Sequence, residues 1–187
     1  ISATTPGLRP GNDGAEDFAD SSSAAATYRD PFESSDRFGA SVAAVSDMDG
    51  DGVPELAVGA PYDDDGSNSQ DRGAIHLLWI TRDGSVKSSA RIGDRALGPR
   101  DVTNSWAALN NQDHFGSGLA SVGDLDNDGM DELAVGSEWS DGSGSYAQSG
   151  SNHGSVRVLF LDKSDATVRS YAWIGPGRMP YYHSGLE

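Results

Sequence analysis

Hydrophobic residues occur along this chain in short runs, separated by long polar segments that are rich in glycine. The runs at 55–60 and 132–137 are apolar almost throughout after their first glutamate, a pattern typical of a short strand buried on both faces. Two stretches of mostly small residues, 38–45 and 115–122, precede these runs and are also predicted to be strands. The pattern therefore indicates a β protein built from short strands.

A third pair of strands is predicted from the alternation of large apolar residues with other residues. Every second side chain of a strand points to the same face, so the alternation marks one buried face. The residues expected on this face are Ile75, Leu77 and Trp79 in one strand and Val156, Val158 and Phe160 in the other. Turns then lead into a fourth pair of strands, which ends at Ile92 and Ile174.

The four predicted strands form a unit that occurs twice, with equivalent positions 77 residues apart in its first half. Four strands per repeat, with glycine and aromatic residues at fixed places, is typical of a β-propeller blade. We predict repeat 1 at 36–93 and repeat 2 at 113–175, with a leader at 1–35, an inter-repeat segment at 94–112, and the start of a further repeat or a tail at 176–187. Two blades do not close a ring, so we expect a part of a larger propeller or assembly.

The composition agrees with short strands and limits the classes of partner. Of the 187 residues 24 are glycine and only 36% are hydrophobic, which disfavours a helical bundle. A formal net charge of −16 repels phosphate backbones and anionic lipid headgroups, so nucleic acid and membrane surfaces are not expected partners. The longest apolar run is far shorter than the ~20 residues of a membrane span, so membrane insertion is not expected. No cysteine is available for a disulfide or a thiolate metal site.

Two acidic loops connect the first and second predicted strands of the units. Each has the pattern Asp-x-Asp-x-Asp-Gly-x-x-Glu, and they begin at Asp47 and Asp124. Calcium takes six to eight oxygen ligands and tolerates irregular geometry, whereas magnesium demands a tight octahedron, so alternating carboxylates of one loop suit calcium. The glycine at the sixth position permits the sharp turn after which the next backbone carbonyl can face the ion.

We predict one calcium site in each loop. The expected ligands are four carboxylates and the carbonyl oxygen of the seventh residue: Asp47, Asp49, Asp51, Val53 and Glu55 in the first loop, and Asp124, Asp126, Asp128, Met130 and Glu132 in the second. An EF-hand is disfavoured, because its closing glutamate lies at position 12 and it needs flanking helices. A solvated turn is the other alternative, but solvation alone does not fix the spacing of the same carboxylates twice.

The sequence contains no recognisable enzyme motif. A nucleophile elbow, a phosphate loop, a dinucleotide fingerprint and a zinc-protease motif are all missing, so we expect no catalytic residues. His76 and His114 align with arginines of the other unit and are expected to be tolerated polar residues on surfaces. The three aspartates at 63–65 are expected to form a solvated loop rather than a further cation site, and Tyr62 and Trp139 to pack between blades.

Three separated motifs of the chain resemble the FG-GAP repeat family, which includes the propellers of integrin α subunits. They are the Phe-Gly pairs at 38–39 and 115–116, the two acidic loops, and the Gly-Ala-Pro at 59–61, where the second unit has Gly-Ser-Glu at 136–138. The resemblance implies an all-β fold of FG-GAP-type propeller blades, with two four-stranded units and the start of a third. Both loops close with glutamate where the family usually has aspartate.

The resemblance also implies a function. It indicates a non-enzymatic, calcium-binding module of an extracellular adhesion or cell-surface protein, whose protein or glycan ligand the sequence does not identify. Two alternatives remain open at this point. One is a self-assembling structural protein that forms an extracellular filament or array from propeller-like units, and the other is a propeller appended to a larger hydrolase.

Overall fold

The computed structural model describes residues 35–64, 70–93, 109–141, 152–163, 166–176 and 178–182. Every regular element within these ranges is a β strand. The predicted leader, apart from Ser35, lies outside the described residues, and so does most of the predicted inter-repeat segment. No helix long and apolar enough to cross a membrane is found in the described ranges.

The first sheet is an antiparallel meander of four strands in the order β1-β2-β3-β4. Its strands are β1 (Ser41–Ala44), β2 (Leu56–Ala60), β3 (Ala74–Ile80) and β4 (Val86–Ile92). The predicted first strand is shortened to its second half, and β2 begins one residue after Glu55. The acidic loop that starts at Asp47 is the connection between β1 and β2.

The second sheet repeats this meander and adds one strand, in the order β5-β6-β7-β8-β9. Its strands are β5 (Phe115–Ser121), β6 (Leu133–Ser137), β7 (Ser155–Leu161), β8 (Val168–Gly175) and β9 (Arg178–Tyr182). β9 lies in the segment predicted as a further repeat or a tail, and it pairs antiparallel with β8. The fold is therefore all-β with two blade-like sheets, as predicted.

The two sheets agree in register as well as in strand order. Leu56 pairs with Leu78 between β2 and β3, and Leu133 pairs with Leu159 at the equivalent place between β6 and β7. The third and fourth strands of both sheets shift register at the same place, which is Trp79/Ile80 in one and Phe160/Leu161 in the other. Such shared irregularities indicate one repeated unit.

The Phe-Gly pair of the second sheet lies directly on glycines of the first. A β carbon added at Gly59 would be 2.1 Å from the carbonyl oxygen of Gly116, and one added at Gly73 would be 2.2 Å from that of Phe115. The Ser41 hydroxyl donates a hydrogen bond of 2.7 Å to the same Gly116 carbonyl. Only glycine permits this approach, so the repeated glycines set the distance between the sheets.

One hydrophobic core joins the two sheets. Phe115, which is fully buried, shares it with Ile75 and Leu77 of β3 and with Leu159 and Leu161 of β7. The prediction for β3 is confirmed at Ile75 and Leu77, while Trp79 is partly buried.

The predicted buried face of β7 is wrong. The buried residues of this strand are Ser155, Arg157, Leu159 and Leu161, and Val156 is 36% exposed. The second sheet covers the Ile75 side of β3, since a β carbon at Gly116 would lie 3.2 Å from Ile75 Cγ2. The equivalent side of β7 faces away from the first sheet, so alternation there marked a face that the described residues leave exposed.

Candidate metal sites

The two acidic loops are neighbours in the folded chain. The backbone N–H of Asp131, in the second loop, donates a hydrogen bond of 2.7 Å to the hydroxyl of Ser46, which lies just before the first loop. The loops therefore meet at the contact between the blades.

The first aspartate of each loop fixes the loop's conformation. Both carboxylate oxygens of Asp47 accept backbone hydrogen bonds, from the N–H groups of Gly50 at 2.7 Å and of Gly52 at 2.8 Å. Gly50 and Gly52 have φ angles of 79° and 83°, a region that favours glycine. The loop thus depends on the carboxylate at position 1 and on glycine at positions 4 and 6.

The second loop has the same construction. The Asp124 carboxylate accepts hydrogen bonds from the backbone N–H groups of Asp128, at 3.1 Å, and Gly129, at 3.0 Å. Asn127 takes the place of Gly50 with a φ of 61°, and asparagine is among the few other residues that tolerate this region. The equivalence of the loops is therefore structural, beyond their shared spacing.

Each loop brings three carboxylates together. One oxygen from each of Asp47, Asp49 and Glu55 lies within 4.8 Å of the others, and the same holds for Asp124, Asp126 and Glu132. This spacing is compatible with oxygens bound to one cation at the 2.3–2.6 Å typical of calcium. The roles predicted for the carbonyl oxygens of Val53 and Met130 stay predictions.

The closing glutamates supply an independent indication of a cation. Glu55 and Glu132 are fully buried, and one oxygen of each accepts a backbone N–H, from Met48 at 2.7 Å and from Leu125 at 2.5 Å. The other oxygen, Oε1, is buried without a hydrogen-bond partner in both residues. A buried carboxylate oxygen without a partner is costly, and a divalent cation would satisfy it. The donor set therefore fits calcium.

The electrostatic environment of the two glutamates agrees with this assignment. Burial raises the pKa of Glu55 above its ordinary value, and the neighbouring Asp49 and Asp47 raise it further. Burial likewise raises the pKa of Glu132, with added repulsion from the aspartates of its own loop. A bound cation would remove this penalty, because it favours the ionised form.

The fifth-position aspartates are paired with basic side chains from the fourth strand of their own sheet. Lys87 Nζ lies 2.5 Å from Asp49 Oδ2 and 2.6 Å from Asp51 Oδ2. Arg169 is equivalent to Lys87, and its Nη2 lies 3.1 Å from Asp126 Oδ2 and also pairs with Asp128. The hydrogen bond from Lys87 lowers the pKa of Asp51.

The sequence alone does not predict that Lys87 and Arg169 belong to the sites. The available signal was that both are the second residue of an equivalent strand and both are basic. Their contact with the loops depends on the register of the fourth strand, which the sequence does not give.

The surface positions expected for His76 and His114 are wrong, since both side chains are buried. His76 lies in β3, and its Nε2 is 3.7 Å from Asp63 Oδ2. His114 lies between the rings of Tyr62 and Trp139, with centroid distances of 4.3 and 4.4 Å. Tyr62 therefore contacts the second blade through His114, as expected, whereas Trp139 stacks on His114 of its own blade and is 42% exposed, so its expected position between blades is wrong within the described residues.

Asp63 is also buried, so the solvated loop expected at 63–65 is wrong at this position. Its carboxylate accepts hydrogen bonds from Arg91 Nη2 at 2.5 Å and Arg91 Nε at 3.2 Å. Burial alone would raise its pKa, but the hydrogen bonds from Arg91 and the nearby His76 outweigh burial and lower the pKa. Asp64 is exposed, and Asp65 lies outside the described residues.

In a comparison with known proteins, both units match the same family model. The family model described as FG-GAP repeat matches residues 38–78 and 115–159. The chain is 30% identical to integrin alpha-V of Gallus gallus over 105 residues, and 34% identical to integrin alpha pat-2 of Caenorhabditis elegans over 106 residues. These alignments include 56% and 57% of this chain, but only 9% and 8% of the integrins.

A longer alignment joins the chain to a different protein. This chain is 29% identical to phosphatidylinositol-glycan-specific phospholipase D of Bos taurus over 156 residues. The alignment includes 77% of this chain and 16% of that protein. The chain thus spans less than a fifth of the length of each of these relatives. Each segment matched by the family model runs from a Phe-Gly pair through an acidic loop into the third strand, and these two segments are FG-GAP repeats.

Proposed function

We propose that this chain is a calcium-binding, non-enzymatic propeller module of an extracellular adhesion or cell-surface protein. The observation that carries the calcium assignment is the buried Oε1 of Glu55 and of Glu132, each without a hydrogen-bond partner, in a carboxylate that has an oxygen within 4.8 Å of an oxygen from each of two aspartates. Calcium, when bound, supplies two positive charges to each loop. Each loop closes the hairpin between the first two strands of a blade, so calcium stabilises both blades.

The adhesion role rests on the relatives. The integrins matched here align with more than half of this chain. Residues in loops held by a rigid scaffold are frequent binding residues, and the calcium sites would hold such loops in place. The ligand that follows from this proposal is a protein or a glycan.

Calcium titration of the purified chain tests the metal sites. Isothermal titration calorimetry should give two bound calcium ions per chain, and one for either Asp49→Ala or Asp126→Ala. Asp131→Asn is the matched control, because it removes a charge from the second loop at a position that is not a predicted ligand. It should leave the stoichiometry unchanged.

Thermal unfolding provides the second measurement. At free calcium about 100-fold above the dissociation constant, each site should add about 2.7 kcal/mol to the free energy of unfolding. For a domain of this size that corresponds to roughly 5–10 °C in Tm. A chain whose Tm is the same with calcium and with chelator would contradict the structural role.

A second candidate function is a module attached to a larger hydrolase. The observation that favours it is the alignment to a phospholipase D, which includes more of this chain than the integrin alignments do. In that case the catalytic residues would belong to another part of the protein. Hydrolysis of phosphatidylinositol-glycan by the natural full-length protein, with none by this chain alone, would support this candidate over adhesion.

A further inference from the structure

The two blades have equivalent residues on equivalent faces, but they bury opposite faces. In the first sheet one face is covered by the second sheet, and four of its apolar side chains are at most 4% exposed; they are Val45, Met48, Ile75 and Ile92. The equivalent side chains of the second sheet are between 36% and 56% exposed; they are Val122, Leu125, Val156 and Ile174. We call the surface formed by these four residues and Trp139 the outer face of sheet 2.

The opposite surface of the first sheet shows the reverse relation. Val42 and Val86 are 53% and 51% exposed. Their equivalents in the second sheet, Leu119 and Val168, pack against the core between the blades. We call the surface around Val42, Val86 and Arg37 the outer face of sheet 1. The described residues therefore contain one complete blade-to-blade interface and, on the two outer faces, the two halves of another.

We propose that the outer face of sheet 2 binds the outer face of sheet 1 of a second copy of this chain, repeating the contact that the two blades make within one chain. The two faces are complementary because each is equivalent to one side of an interface that the molecule already forms. Large exposed apolar residues that cluster on two defined faces are typical of interaction surfaces.

The glycines leave room for this contact. A β carbon at Gly59 would strike the Gly116 carbonyl of the next blade at 2.1 Å. At the equivalent Gly136 the nearest atoms, 3.4 Å away, belong to Ser117 and Gly118 of its own sheet. The Phe-Gly pair that begins at Phe38 of a second copy would therefore fit over Gly136 as Phe115-Gly116 fits over Gly59.

A stacked column of side chains supports the same arrangement. Arg37 lies 3.9 Å above the ring of Tyr62 in the first blade, and His114 lies 4.4 Å from Trp139 at the equivalent place in the second. His114 also stacks on Tyr62 of the preceding blade at 4.3 Å. Trp139 is 42% exposed, so Arg37 of a second copy would stack on Trp139 as His114 stacks on Tyr62.

The contact is head-to-tail, so a dimer keeps one free face of each kind for further copies. Such a contact generates a ring if the rotation between copies closes and a filament if it does not. The net charge of −16 opposes association of like copies, so association should strengthen with salt, which screens this repulsion.

Sedimentation velocity of the full chain at concentrations from about 1 to about 500 μM tests the proposal. The wild-type chain should form dimers and larger species as the concentration rises. Ile174→Asp, on the outer face of sheet 2, and Val42→Asp, on the outer face of sheet 1, should each remain monomeric. Ser85→Asp in the exposed turn between β3 and β4 is the control and should associate like the wild type. Unchanged Tm values would show that all three variants fold.

Mixing the two monomeric variants provides the decisive measurement. Each retains one intact face, so the mixture should form a 1:1 dimer that does not grow further. A wild-type chain that stays monomeric throughout the range would overturn the proposal, and so would a mixture that forms no dimer. Sedimentation should be measured both with calcium and with chelator, which separates self-association from the calcium assignment. Association that does not depend on calcium would leave the proposed self-association intact.

Discussion

At the scale of single residues, Lys87 and Arg169 have the same relation to the two loops. Each holds carboxylate oxygens of the third and fifth loop positions in its own blade. A cation bound by the same carboxylates must compete with these side chains or share the oxygens with them. The basic residues therefore balance the negative charge of the loops and would oppose the proposed calcium binding.

Replacing Lys87 should strengthen calcium binding at the first loop. In Lys87→Gln we expect calcium affinity to rise about fivefold there, because the partly exposed ammonium group no longer competes for the carboxylates. Calorimetry should show the change at one of the two sites, and Arg169→Gln should shift the other. Lys163→Gln, in the turn between β7 and β8, removes the same charge away from both loops and serves as control. Lower affinity in Lys87→Gln would contradict the prediction.

Asp63 should determine part of the acid sensitivity of the fold. Its lowered pKa means that the ionised form stabilises the folded state above the ordinary value of 3.8, and this stabilisation is lost as the pH falls through the lowered pKa. We expect Asp63→Asn to be about 2 kcal/mol less stable than the wild type at pH 7. The difference should disappear near pH 2.

Denaturant unfolding at several pH values checks this expectation. Asp64→Asn is the control, since it removes a neighbouring carboxylate that is exposed. The raised pKa values of Glu55 and Glu132 act in the opposite direction, but they are common to all variants and cancel in the difference. A difference that persists at pH 2 would show that Asp63 stabilises the fold by packing rather than by charge.

At the scale of the strands, Gly59 and Gly136 are equivalent residues in different surroundings. Gly59→Ala should lower the free energy of unfolding by about 3 kcal/mol, because its β carbon would be 2.1 Å from a backbone carbonyl that has little freedom to move. Gly136→Ala should cost below about 1 kcal/mol in dilute solution, where its nearest neighbours are 3.4 Å away. Urea unfolding of both variants measures the contrast, and equal losses would contradict the assigned packing.

The strands and acidic loops were predictable because their signals are local. Alternating carboxylates, glycine positions and apolar runs are read within about a dozen residues, and most strands lie within two residues of the prediction. The buried face of β7 was not predictable in this way. The alternation of Val156, Val158 and Phe160 correctly identifies an apolar face, but a neighbouring blade decides whether that face is buried.

Residues brought together from separate strands were also missed. The pairing of Asp63 with His76 and Arg91 joins the end of β2 to β3 and β4, so it depends on the register between strands. The same is true of Lys87 and Asp49. Sequence spacing alone does not give such pairings, and His76 was therefore expected at a surface.

At the scale of the whole molecule, the second acidic loop belongs both to a proposed calcium site and to the outer face of sheet 2. Leu125, whose N–H is bonded to Glu132 Oε2, is 56% exposed. Its equivalent Met48 makes the same bond to Glu55, but its side chain is buried between the blades. The neighbouring blade thus holds the backbone that positions Glu55, whereas Glu132 lacks this support within the described residues.

Under the proposed calcium binding and self-association, this difference has a thermodynamic consequence. A second copy that covers Leu125 would fix the backbone around Glu132 and tighten calcium binding at the second loop. Linkage is reciprocal, so calcium at that loop must strengthen association by the same factor. The first loop, already covered, would act as a permanent calcium site, and the second as a sensor through which the calcium level of the surroundings controls whether copies join.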